Sequence, residues 1–190
     1  MTKKKVVDNV NHPPHYSAHP SGVECITITE WFNFNVGNAI TQKILEDNEI
    51  KRPPVPVKDI IEKAGINVEF VNFKEMGDRI AGFTHFPTKT IYVNARDSLN
   101  RQTFTMAHEY GHWILHKSLF EQHPEKYKVL LRTSGEKQND PLEKEANSFA
   151  ANLLVPEFLI KPIKDNAILS QLSLMFAVSD DTIKHRLKYV

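Results

Sequence analysis

The chain has 190 residues, of which 41% are hydrophobic and 25% charged, enough apolar material for one packed domain and too much for wholesale disorder. Its 24 Lys and Arg against 23 Asp and Glu leave a formal net charge of +1, which removes any global electrostatic case for nucleic acid or anionic membranes. Cys25 is the only cysteine, so disulfide frameworks and cysteine-ligated zinc ribbons are excluded and a reducing cytoplasm is the expected setting.

Taken in chain order, residues 1–20 set Pro13, Pro14 and Pro20 among His12, His15 and His19, which predicts an extended or irregular arm. Lys3 to Lys5 resemble the basic start of a secretion signal, but Val6 and Val7 run straight into Asp8 and Asn9, so no apolar core of such a signal follows. No apolar run approaches the ~18 residues that span a bilayer. Residues 23–34, with Trp31, Phe32 and Phe34, suit a short helix or strand, and residues 38–49 carry Ile40, Ile44 and Leu45 at helical spacing. Pro53, Pro54 and Pro56 then forbid helix. We therefore expect an arm over residues 1–37 and a second unit over 38–190.

Residues 57–64 predict a short helix closed by Gly65, and 66–73 a half-buried strand with Ile66, Val68 and Phe70 inward. Two more strands are expected over 79–86 and 90–94, joined by a turn at Pro87, Thr88 and Lys89. Residues 98–117 read as a long helix and 118–139 as a polar loop. Asp140, Pro141 and Glu143 are N-cap, N1 and N3 signals for a helix reaching Val155, where Pro156 ends it. Residues 170–176 and 179–188 predict two short closing helices. The order predicts an α+β domain with a short three-stranded sheet packed on helices.

The chemistry concentrates in His108-Glu109-Tyr110-Gly111-His112. Histidines four apart on a helix are offset by about 40° around the axis and ~6 Å along it, so both imidazoles reach one ion. Glu109 is rotated by about 100° from His108, beside the ion, where it can deprotonate water. A catalytic zinc takes three protein ligands and keeps a fourth position open. His116 is too far for the third place, lying ~12 Å from His108 along a straight helix. Leu115 and Ser118 stand where the metzincin pattern needs Gly and His. Glu145 is the expected third ligand, because Phe149 and Leu153 share its face and a carboxylate on an apolar stripe needs a positive partner. Glu143 is the rival, with a capping role at N3. Tyr92, His85, Tyr110 and His123 could each hydrogen-bond a tetrahedral intermediate, although packing or solvent accounts for such residues more often. His12, His15 and His19 are read as structural, since no carboxylate joins them.

Two segments carry a family resemblance. Residues 101–112, ending in the paired histidines, and residues 145–156, ending in Leu153-Leu154-Val155-Pro156, resemble the ImmA/IrrE metallopeptidase family. Residues 91–94 and 178–187 fit the same pattern, and the resemblance covers roughly residues 39–190. It implies a gluzincin-like fold, Zn2+ on His108, His112 and Glu145, and Glu109 as general base. It also implies a substrate, a helix-turn-helix repressor of a phage, mobile element or stress response. The stretch between His112 and Glu145 is longer than usual for such proteins. Residues 10–16 and 22–40 resemble the start of a small phage-encoded domain of unknown function.

Two alternatives belong to other classes. Residues 172–187 read as helix, turn and Ser179-capped helix with Lys184, His185, Arg186 and Lys188, a pattern that could read DNA. The same ligands could also hold zinc in a regulator that binds its repressor without cutting it. Neither direct nucleic-acid binding nor membrane association is expected.

Overall fold

The computed structural model describes residues 28–74, 80–123 and 140–190, with side chains of the first helix described from residue 37. The expectations placed on the N-terminal arm, including His12, His15 and His19, lie outside the described residues, as does most of the polar loop before Asp140. Helix α1 spans Ile28–Asp47 and α2 spans Val57–Lys63, followed by strands β1 (Asn67–Val71), β2 (Gly82–His85) and β3 (Thr90–Asn94). The long helix α3 spans Leu99–Gln122, and α4 (Pro141–Leu154), α5 (Glu157–Ile160), α6 (Leu169–Phe176) and α7 (Asp180–Leu187) complete the chain. This is the α+β order expected, and among the described residues no helix is long and apolar enough to cross a membrane.

Three boundaries differ from the sequence reading. Helix α1 is continuous through residues 37 and 38, so the two apolar segments read separately there form one element. Helix α3 continues to Gln122 rather than stopping near Lys117, because Phe120 is buried and its ring stacks 4.3 Å from that of Phe86. Tertiary burial has extended a helix into a stretch whose composition reads as loop. The single-turn α5 beyond Pro156 has no periodic signal long enough to predict.

The sheet has the order β1-β3-β2, with β1 parallel and β2 antiparallel to the central β3. Register divides its faces. Gly82 pairs with Val93 and Thr84 with Ile91, so these four share the face packed on α3. A Cβ at Gly82 would meet Thr105 Cγ2 of α3 at 2.5 Å and the Tyr92 carbonyl at 2.6 Å, so only glycine lets β2 lie this close to the helix. The opposite face carries Phe83 stacked on Tyr92 at 4.8 Å. Phe70 was expected inside but is 44% exposed. It pairs with the buried Val93, yet β1 is an edge strand and the helical cover does not reach its outer end.

Ile91 and Val93 of β3, Ala107 and Tyr110 of α3, and Phe149, Ala150 and Leu153 of α4 belong to one buried cluster with Ile61, Phe176 and Ile183. Helix α3 begins at Ser98, whose side chain accepts a hydrogen bond from the Arg101 backbone N–H, and α4 begins at Asp140, which accepts from Leu142. The cap at Asp140 was expected from the sequence, whereas at Ser98 only the start of a helix was; both side chains satisfy amides the helix cannot.

Candidate metal centre

Helices α3 and α4 meet where both have been stripped of bulk. A Cβ on Gly111 would meet Phe149 Cδ1 at 3.1 Å and the Cα and carbonyl oxygen of Ala146 at 3.3 Å. Glycine facing alanine therefore lets the two backbones approach closely. That approach brings the first turn of α4 onto the two histidines of α3.

His108 and His112 are buried, with their Nε2 atoms 3.0 Å apart. Glu143 reaches both: its carboxylate oxygens lie 3.3 Å from His108 Nε2 and 3.2 Å from His112 Nε2. One ligand atom from each of these three residues lies within 4.8 Å of the others. Glu145, expected in this place, is elsewhere. Its Oε2 is 3.0 Å from His116 Nε2, and it is not part of the three-residue group.

The difference is a matter of rotation around α4. Glu143 lies about 20° from Ala150 and Glu145 about 40° from Phe149 on an ideal helix, so both border the same buried stripe. Spacing cannot choose between them. The close contact of Ala146 with Gly111 turns the Glu143 side of α4 toward His108 and His112. The capping role expected of Glu143 is left to Asp140 alone.

Burial by itself would raise the Glu143 carboxyl pKa, but hydrogen bonds and charge from His108 and His112 hold it well below the usual carboxylate range. Glu143 is therefore an anion facing two ring nitrogens. His108 Nδ1 lies 2.9 Å from Asn147 Oδ1, and an amide oxygen can only accept. The Nδ1–H thus donates to Asn147, and Nε2 faces Glu143 and His112, where giving up its proton would leave a lone pair for a metal. Asn147 was missed in the sequence, although it is four residues after Glu143 and so on the same side of α4.

Glu109 is buried and turns toward the sheet. Thr84 Oγ1 lies 3.0 Å from Glu109 Oε2 and 3.2 Å from the Glu109 carbonyl oxygen, so the hydroxyl of an edge strand holds the carboxylate beside the histidines. Thr84 was also missed. Its only signal was a polar residue sharing a strand face with Gly82.

The remaining candidates have other partners. Tyr92 stacks on Phe83 on the far face of the sheet, and His85 Nδ1 is 2.7 Å from Thr88 Oγ1 in the adjoining turn. Tyr110 packs edge-on against Phe149, and burial pushes its phenol pKa up. His123 caps the end of α3. His116 is buried between His112 and Glu145, and desolvation lowers its pKa despite the hydrogen bond to Glu145. In α7, Arg186 is buried with its Nε–H donating to the Val155 carbonyl, Lys184 pairs with Asp181, and the first turn is acidic.

Comparison with known proteins gives the family. The family model Peptidase_M78, described as an IrrE N-terminal-like domain, matches residues 61–188. The chain belongs to the Peptidase_M78 family. The ImmA/IrrE resemblance, expected over roughly residues 39–190, is thus confirmed over residues 61–188, which include both motif segments. Among solved structures, a Mycobacterium tuberculosis transcriptional regulator is similar, with a TM-score of 0.58 at 17% identity over 80% of this M78 chain. The chain spans 46% of that protein, and the likeness is one of fold. No curated protein matches the sequence significantly.

Proposed function

We propose that this M78 protein is a zinc-dependent endopeptidase of gluzincin type, with His108, His112 and Glu143 as metal ligands and Glu109 as general base. The observation that carries the reading is the convergence of three donors at 3.0, 3.2 and 3.3 Å. Ligands of one tetrahedral zinc at bond lengths near 2.0–2.1 Å lie about 3.3 Å from one another. The donor set fits on chemistry as well: two imidazoles and an anionic carboxylate, with the Nε2 of His108 turned inward by the contact of its Nδ1 with Asn147. Zinc bound there supplies a polarised carbonyl and an acidified water.

The protein's own groups do the rest. Glu109 takes the water's proton on its carboxylate and delivers it to the departing amide nitrogen. Thr84 keeps that carboxylate in place by its hydrogen bond. Strand β2 is an edge of the sheet, whereas β3 is central. An extended peptide added to β2 would gain backbone hydrogen bonds beside the residue that holds the base. β3 has both its sides paired and leaves no edge for a peptide.

Sequence-tolerant pairing of that kind leaves specificity to docking of a folded partner. The ImmA/IrrE resemblance makes that partner a helix-turn-helix repressor, cut in an accessible loop. The test is co-expression of wild type or Glu109→Gln with each repressor encoded nearby, read by intact mass. Defined fragments of one repressor with wild type only are expected. Intact repressors throughout, with efficient digestion of unrelated proteins, would overturn the substrate. A repressor that is bound but never cut would instead make the protein a zinc-containing regulator.

A further inference from the structure

We propose that Glu145 and His116 are positioning residues that fix His112 as a metal ligand through an unbroken hydrogen-bond chain, Glu145 to His116 to His112. The inference rests on the ligand assignment above and extends it to two residues that touch no metal. Glu145 Oε2 is 3.0 Å from His116 Nε2, and His116 Nδ1 is 3.0 Å from His112 Nδ1.

Proton counting gives the chain a direction. A carboxylate has no proton to give, so His116 Nε2–H donates to Glu145. A neutral imidazole protonated at Nε2 carries its lone pair on Nδ1. Two Nδ1 atoms 3.0 Å apart need one proton between them, and it must come from His112. His112 is then protonated at Nδ1, so Nε2, facing Glu143 and His108 Nε2, is the nitrogen it can offer a metal.

Asn147 imposes the same tautomer on His108. Both histidines therefore offer Nε2 to one point, His108 held by Asn147 of α4 and His112 by His116 of α3, which Glu145 of α4 holds in turn. Partners that orient metal-bound histidines in this way typically contribute roughly 10–100-fold in metal affinity. The spacing is what lets both residues act on the site without touching the metal. His116 is one helical turn beyond His112, within reach of its outer nitrogen but too far from the metal. Glu145 borders the α4 stripe on the side away from Glu143.

The experiment is zinc affinity of the full chain by competition with a chromophoric chelator, alongside circular dichroism and thermal unfolding of the metal-free protein. Glu145 has a side chain 25% exposed, so Glu145→Ala is compatible with folding. Glu145→Ala and His116→Phe should each weaken zinc roughly 10–100-fold. The double variant should be no weaker than the worse single, because both act through one chain. Glu145→Gln should recover affinity close to wild type, since its amide oxygen still accepts from His116. Metal-free unfolding of Glu145→Ala should match wild type.

Unchanged zinc affinity in Glu145→Ala would overturn the relay. So would additive losses, no recovery in Glu145→Gln, or a loss explained by metal-free destabilisation. Glu143→Ala separates this from failure of the site itself. If Glu143→Ala keeps zinc and Glu145→Ala loses it outright, the ligand assignment is wrong. If Glu143→Ala loses zinc while Glu145→Ala keeps full affinity, only the relay fails.

Discussion

At the residue scale, the proposed assignment separates the groups that would hold a metal from the one that would move a proton. Glu109 is expected to be dispensable for zinc, because the three converging donors are His108, His112 and Glu143. Glu109→Gln should therefore purify with wild-type zinc content and melting temperature while repressor cleavage falls below detection, since an amide cannot take the water's proton. Elemental analysis beside the intact-mass assay checks both halves. Thr84 gives a subtler case. Thr84→Val keeps the shape but removes the donor 3.0 Å from Glu109 Oε2. Loss of a buried hydrogen bond to a charged group is worth about 1.5–3 kcal/mol. Cleavage should slow by at least roughly tenfold with zinc content unchanged, a factor that corresponds to about 1.4 kcal/mol in the barrier. Thr84→Ser should retain most of the rate. Equal rates for the Val variant and wild type would show that the hydroxyl does not position the base.

At the element scale, the contact of α3 with α4 controls whether the third donor arrives. Gly111 is the residue that sets this distance, since an added Cβ meets Phe149 at 3.1 Å and Ala146 at 3.3 Å. Two effects compete in Gly111→Ala. Alanine is better than glycine in a helix by about 0.8–1 kcal/mol, which offsets a clash that movements of a few tenths of an ångström relieve. Gly111→Ala should be near neutral in metal-free thermal unfolding. Gly111→Val adds branched bulk that such movements cannot absorb, and overpacking costs about 1–3 kcal/mol. It should also move Glu143 off the histidines and reduce zinc affinity. Retention of full stability and affinity in Gly111→Val would show that this approach is not what positions Glu143.

At the scale of the whole molecule, a metal held by residues of both α3 and α4 binds the folded state and not the unfolded one. Zinc should raise the melting temperature, and a 100-fold excess of free metal over the dissociation constant corresponds to about 2.7 kcal/mol. Chelation should reverse the rise without loss of helical signal, because the α3–α4 interface also buries Tyr110, Phe149 and Leu153. In Glu143→Ala the melting temperature should no longer respond to zinc. A metal-free protein that loses its helical circular dichroism would mean that the core does not stand without the ion.

The paired histidines and their glutamate were legible in the sequence because their geometry is local. Any helix through residues 108–112 brings the two imidazoles onto one face, whatever surrounds it. The α+β order, the cap at Asp140 and the turn after β2 were local as well, set by backbone amides and side chains within a few positions. The third donor was not. Glu143 and Glu145 border the same apolar stripe of α4, and one-dimensional spacing treats them alike. Only the rotation of α4 about its axis separates them, and that rotation is set by Gly111 meeting Ala146 across the interface. Thr84 and Asn147 were hidden for the same reason: each is an ordinary polar residue until another element is packed against it. Residues whose partners lie within one helical turn were determined by the sequence. Those whose partners lie on another element were decided by how closely two backbones can approach.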